Sequence, residues 1–185
     1  MISANDLRPG SVFEWENELY RTLTQSQTHM GRGGATVRVK MRNLRSGSTF
    51  ERTFSPDDRF QDVRLETRQV QYLYNDGDLY HFMDTETYEQ PVIQSTTLGD
   101  RVPYLKENMM LGIAFYDQEP IEIELPAHVD MEITYTEPGF AGDTAQGATK
   151  PAKTETGLTI NVPLFVNIGD RVRIDTRNGQ YITRV

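Results

Sequence analysis

The sequence predicts an all-β protein, assembled from small β-barrels or sandwiches rather than one large one. Three observations carry this. Most segments alternate apolar and polar residues with period two, turn signals recur roughly every 8–12 residues, and the charge composition changes near residue 64. One barrel of 185 residues would be large for strands this short. Three units of about 60 residues fit better. The seams fall at Asp62–Arg68 and Pro126–His128, giving units 1–63, 64–127 and 128–185.

The first clear hairpin surrounds the stretch HMGRGGATVRVK, His29–Lys40. Tyr20–Gln27, rich in Thr, Tyr and Gln, supplies one strand and Ala35–Arg42 the other. Along the second strand Ala35, Val37, Val39 and Met41 share one face, and Thr36, Arg38, Lys40 and Arg42 the other, so one side is dry and one cationic. Gly31, Gly33 and Gly34 let the backbone bend sharply between them and leave Arg32 at the bend, with Met30 before it. An SGS turn at Ser46–Ser48 leads into TFERTF. Two aromatic-rich runs, QVQYLY and DLYHFMD, flank Asn75-Asp76-Gly77, a strong hairpin signal. IEIEL, VDMEITY, LTINVPLFV and RVRIDTRNGQYITRV continue the alternation, with Asn178-Gly179 as a tight turn. Glu122 and Glu124 fall on one strand face and are expected to be solvated. The one helical candidate spans Asp100–Leu111, where Val102, Leu105 and Met109 would share a face behind Pro103.

Net charge is −8, yet it is unevenly spread. Residues 1–63 hold nine Lys/Arg against eight Asp/Glu, residues 64–127 four against twelve, and residues 128–185 six against seven. Within residues 28–52 six cations face a single acid. Such asymmetry points to one end that meets a polyanion and a middle that avoids it. There is no cysteine, which excludes disulfides and thiolate chemistry. His29, His81 and His128 have no metal-ligand spacing, and no nucleophile motif or phosphate loop occurs. The glycines around Arg32 lack a following Lys-Ser/Thr. NDGD at Asn75–Asp78 lacks the ligand spacing of a calcium loop. No enzymatic activity, metal or cofactor is expected. No apolar run approaches the roughly 18 residues of a membrane helix, so a soluble, cytoplasmic protein without membrane contact is expected.

The residues that remain are cations. Arg32 on a glycine-rich tip, backed by Arg38, Lys40, Arg42 and Arg45, reads either as an ordinary exposed arginine or as a probe that bonds phosphate with a planar fork. The chain resembles the bacterial translation elongation factor P family along its whole length. The likeness rests on DLRPG, Asp6–Gly10, the tip GRGGA, Gly31–Ala35, then KMRNLRSG, ERTF and YLYNDGDLYHFMDTETYEQ, and on the final PGFAGDTAQGATKPAKTETGLTINVPLFVNIGDRVRIDTRNGQYITRV. It implies an SH3-like (KOW-like) barrel followed by two OB-folds, arranged as an L that imitates a tRNA. The implied task is to bind the ribosome and its RNA between the peptidyl and exit sites. There the factor stimulates peptide-bond formation at polyproline stalls by positioning the peptidyl-tRNA.

Residue by residue, Arg32 matches the tip that approaches the peptidyl transferase centre. Gly142, Asp143 and Thr144 match a loop that approaches the exit-site codon. Tyr181 and Arg184 match a pair linked to the small subunit, and Arg8, Arg38, Lys40 and Arg42 match basic positions that meet RNA. A monomer is expected. Many members carry lysine at the tip, extended by a lysyl-type or amino-alcohol group; that amine-directed extension cannot occur on Arg32. Some members with tip arginine carry a rhamnose, so a modifying enzyme acting on Arg32 is a further implied partner. His29 stands where lysine is frequent. The acidic middle unit would be part of the tRNA mimicry, or would serve solubility. A divergent paralogue with another stalling substrate and a generic OB-fold protein for single-stranded nucleic acid are the alternatives. The second would use Tyr72 and Tyr74 as stacking platforms.

Overall fold

The computed structural model describes residues 1–139 and 147–185, with the backbone but not the side chain of Met30. The chain forms three β-barrels in sequence. The first contains β1 (Ile2–Ser3), β2 (Val12–Trp15), β3 (Glu18–Met30), β4 (Gly34–Asn43), β5 (Thr49–Phe54) and β6 (Arg59–Asp62), in the order β1-β6-β2-β3-β4-β5. The second contains β7 (Glu66–Asp76), β8 (Leu79–Asp84), β9 (Val92–Gln94), β10 (Met110–Tyr116) and β11 (Glu119–Glu124), in the order β11-β10-β7-β8-β9. The third contains β12 (His128–Thr136), β13 (Thr149–Thr154), β14 (Thr159–Pro163), β15 (Arg171–Asp175) and β16 (Tyr181–Arg184), in the order β14-β13-β12-β15-β16. All the pairings are antiparallel, as the short turns require.

Each barrel has its own core, set by the period-two pattern. Phe13, Val37, Val39 and Met41 are fully buried in the first, where Phe13 stacks near Tyr20 and Phe60 with ring centroids 5.8 and 5.0 Å away. Val70, Phe82 and Ile113 centre the second, and Met131, Ile133, Val172 and Ile174 the third. The hairpin signals act as read. Gly77 and Gly179 both take positive φ, +59° and +73°, at their turns.

The helical segment differs from its expectation. It begins earlier, as a short α1 (Ser95–Leu98) continued by a 3-10 turn over Gly99–Tyr104, and Met110 already belongs to β10. Val102, Leu105 and Met109 do pack on the second core, but from a 3-10 turn and the loop behind it. A 3-10 turn advances about 2 Å per residue. That lets six residues cross the barrel end, with Pro103 inside the turn giving up one backbone hydrogen bond.

Glu122 also departs from its expectation. Glu124 is exposed, but Glu122 retains only 7% of its surface because the first barrel covers it. A β-bulge in β11 lies just before Glu122. Ala114 pairs with Glu122 and Phe115 with Pro120, so Ile121 is the extra residue. The bulge turns Ile121 away from its own core into a separate cluster with Val12, Leu19, Leu44 and Val63, which joins the first two barrels. Beside this cluster Arg21 Nη2 lies 2.5 Å from Glu122 Oε1. Arg45 donates to both oxygens of Glu119 at 3.0 Å.

The second and third barrels meet along the 3-10 turn. Tyr104 packs on the third core, Lys106 Nζ lies 3.0 Å from Glu155, and Thr156 donates to the Pro103 carbonyl. A Cβ at Gly179 would stand 2.8 Å from the Tyr104 hydroxyl, at a φ that favours glycine. Gly179→Ala is expected to lower stability by about 1–2 kcal/mol. Denaturant titration checks this. The companion Tyr104→Phe/Gly179→Ala pair should recover the part of the loss due to the collision.

Candidate functional site: a cationic antenna

The first barrel carries one element that does not serve its core. β3 is 13 residues long, and its ladder with β4 runs from Tyr20–Asn43 out to Met30–Gly34. Val37 is the last fully buried residue of β4, so the ladder extends about 10 Å beyond it at roughly 3.4 Å per residue. The extension holds because its base is braced. Gln25 Nε2 donates to the Asn5 carbonyl at 3.0 Å and the Ala4 carbonyl at 3.3 Å, and Gln27 donates to Asn5 Oδ1. These acceptors belong to a 3-10 turn over Ala4–Asp6, at the start of DLRPG. Nothing in the local alternation signals the brace, whose partners stand about twenty positions apart along the chain.

The tip is a 3-10 turn over Gly31–Gly33. Gly31 and Gly34 take φ of +30° and +82°, and a Cβ on either would meet nothing within 4 Å, so backbone conformation alone favours glycine there. Gly31, Arg32, Gly33 and Gly34 are all exposed. The arginine therefore stands outward on the antenna's end, with no packing against its own barrel.

The other cations divide. Arg38 and Lys40 are exposed on the outward face of β4, opposite Ser26 and Thr24 of β3. On the β5 side Glu51 approaches Arg38 at 3.8 Å, with both side chains more than half exposed, so water screens the pair. Arg42, at the inner end of the same face, is half-buried. Arg8 turns Nη1 back to the Asn5 and Leu7 carbonyls at 3.1 and 3.0 Å, and the residue remains exposed. Arg45 leaves the group that sequence reading placed behind the tip. Its pairing with Glu119 and Glu18 holds barrel to barrel and raises its guanidinium above the ordinary value, chiefly through the Glu119 hydrogen bonds.

On the third barrel Tyr181 is half-buried against the core, and Arg184 lies 3.6 Å from Asp170 and 5.1 Å over the Phe165 ring. Gly142, Asp143 and Thr144 lie outside the described residues. Just before them, Gly139 sits where a Cβ would collide with the Leu164 carbonyl. Nearby, Asp130 is held below the usual carboxylate range by hydrogen bonds from Arg173, and Asp175 by the side chain and backbone N–H of Arg177.

His29, His81 and His128 lie in three different barrels, on β3, β8 and β12. Among the described residues no group of three or more His, Asp or Glu is placed to hold a metal ion. Among those residues, too, no helix is long and apolar enough to cross a membrane. Tyr72 is 4% exposed, inside the second core, and cannot serve as a stacking platform; Tyr74 is exposed but already stacks on His81 at 4.5 Å.

Three family models tile the chain in the same order as the barrels. The Elongation factor P (EF-P) KOW-like domain matches residues 3–60, the Elongation factor P (EF-P) OB domain 65–123, and Elongation factor P, C-terminal 129–184. The chain belongs to the elongation factor P family. Proteins named Elongation factor P from Coprothermobacter proteolyticus and Thermoanaerobacter sp. are 49% and 47% identical over 185 residues, covering all of both chains. The elongation factor P of Acetivibrio thermocellus is 48% identical over the same span. Among solved structures, eukaryotic translation initiation factor 5A from Methanococcus jannaschii shares the fold with a TM-score of 0.51 and 17% identity, over 61% of this chain and 84% of that one.

Proposed function

We propose that this elongation factor P relative binds the ribosome between the peptidyl and exit sites and relieves stalls at consecutive prolines. The tip Arg32 would approach the acceptor end of the peptidyl-tRNA. The observation that carries the reading is the antenna: an exposed guanidinium on a braced ladder, with Arg38 and Lys40 on the outer face below it.

The chemistry asked of the protein is positioning. Proline is a rigid nucleophile, and its fixed φ narrows the poses of the nascent chain. A guanidinium can bond two phosphate oxygens at once and hold the tRNA end in a reactive pose. Converting a loosely held pair into an aligned one lowers the barrier without proton transfer by the protein. In this reading Arg8, Arg38, Lys40 and Arg42 meet RNA backbone, Gly142-Asp143-Thr144 approach the exit-site codon, and Tyr181 and Arg184 face the small subunit. The three barrels form an L like a tRNA, and the acidic second barrel completes the imitation. An enzyme that modifies Arg32 would find that side chain accessible.

The test is translation of a Pro-Pro-Pro reporter in extract depleted of the native factor. Adding this protein is expected to restore full-length product, with no effect on a reporter lacking the prolines. Equal stalling with and without the protein would defeat the proposal.

A further inference from the structure

The three barrels meet around a cleft of about 690 Å³ at the root of the β3–β4 ladder, away from the Arg32 tip. Arg21 and Arg42 come from the first barrel, Arg101 and Glu122 from the second, Arg177 and Asn178 from the third. Its charges are poorly matched. Arg21 and Arg42 stand directly opposite each other on β3 and β4, a like-charge cross-strand pair that is unfavourable by itself. Arg101 joins them from the 3-10 turn, and Arg21 and Arg101 share one carboxylate, Glu122, at 2.5 and 3.8 Å.

The other acids at the cleft are engaged elsewhere or turned to solvent. Glu124 is exposed and accepts from Thr67 at 3.1 Å, Asp100 is exposed, and Arg177 is held in a fork by Asp175. Arg42 forms no ion pair among the described residues, and Arg21 Nε is buried there without a partner. Burial, first, and then the charges of Arg42 and Arg21 lower the Arg101 guanidinium from its ordinary range, against the pull of Glu122.

We infer that this three-barrel cleft is a binding site for a phosphate-class anion, held by Arg21, Arg42 and Arg101. A multiply charged phosphate suits the arrangement. It accepts from several guanidinium forks at once and removes the repulsion between Arg21 and Arg42. Bound at the point where all three barrels touch, it would also stiffen the joint between them. The site does not include the tip, so it stands whatever the fate of the reading of Arg32, but it takes Arg42 from the set read above as meeting RNA backbone.

A phosphate could arrive free or as part of an RNA backbone, and the test separates the two. Inorganic pyrophosphate and a 5′-phosphorylated mixed-sequence trinucleotide are each titrated into the full chain at fixed ionic strength. Calorimetry and the arginine Nε–H resonances are followed. Saturable binding that shifts the Arg21 and Arg101 signals is expected. Arg42→Gln, which removes a guanidinium without a paired acid, is expected to weaken it about tenfold. Saturation by pyrophosphate assigns a free anion, and saturation by the trinucleotide alone assigns RNA; both support the site. Absence of saturation by either probe, or unchanged affinity in Arg42→Gln, overturns it. Arg101→Gln is expected to weaken binding likewise; should it fail to fold, Arg42→Gln alone decides.

Discussion

Arg32→Ala is expected to remove most of the rescue of a Pro-Pro-Pro reporter, by about tenfold or more, while the protein stays as stable as before. The two halves of that expectation have separate causes. Stability is untouched because Arg32 is exposed on a turn whose conformation depends on its glycines, not on the arginine. Activity falls because the proposed mechanism places only this side chain at the reacting end of the tRNA. A methyl group in its place leaves the antenna at full length with nothing at its tip to bond phosphate. Arg32→Lys separates charge from geometry. It keeps the cation but replaces the planar fork with a point charge, so intermediate rescue is expected. Full rescue by Arg32→Ala would show that the antenna works through its backbone or its flanks, and would remove the arginine from the mechanism.

Ile121→Ala is expected to have the largest effect among changes away from the tip. Ile121 is 2% exposed and packs between the first two barrels with Val12, Leu19, Leu44 and Val63. Truncating a buried isoleucine costs about 2–5 kcal/mol when the surroundings cannot close over the gap. Here the walls belong to two separate sheets, which restricts their collapse. The loss falls on the contact between barrels rather than on either core. Trp15, the single tryptophan, lies in the first barrel and reports its unfolding alone, whereas far-UV circular dichroism reports all three. In the wild type the two signals should share one denaturant midpoint, and in Ile121→Ala the Trp15 midpoint should fall away from the other. Coincident, unshifted midpoints would mean that Arg45–Glu119 and Arg21–Glu122 suffice to couple the barrels. Stall relief should fall as well, since the second barrel would no longer fix the direction of the antenna.

Much of this was legible in the chain itself. Alternation from Ala35 to Arg42 gave both the dry face that became core and the cationic face that stayed wet, because a hairpin's side chains are sorted by local period alone. The exposed arginine was legible for the same reason: three glycines around it leave nothing to cover it. Glu122 was not. Its period matched Glu124, and only the first barrel, whose Arg21 lies a hundred positions earlier, distinguishes them. A separation of 74 positions likewise hid Arg45, which composition placed with the RNA-facing cations and Glu119 claims for the joint. The helical segment was mistimed because packing of Val102, Leu105 and Met109 can be met by a 3-10 turn and loop as well as by a regular helix. The family likeness supplied the barrel types, which periodicity could not.

The antenna's outer rungs have a mechanical consequence. A paired ribbon without a core behind it resists shear within its own plane, where every hydrogen bond opposes the motion, yet yields easily at right angles to that plane. The pair Gln25 and Gln27 clamps its root like the fixed end of a leaf spring. Such a spring lets its loaded end ride up and down against an uneven wall while refusing to drift sideways. Thermal motion of the tip backbone is thereby directed along a single arc.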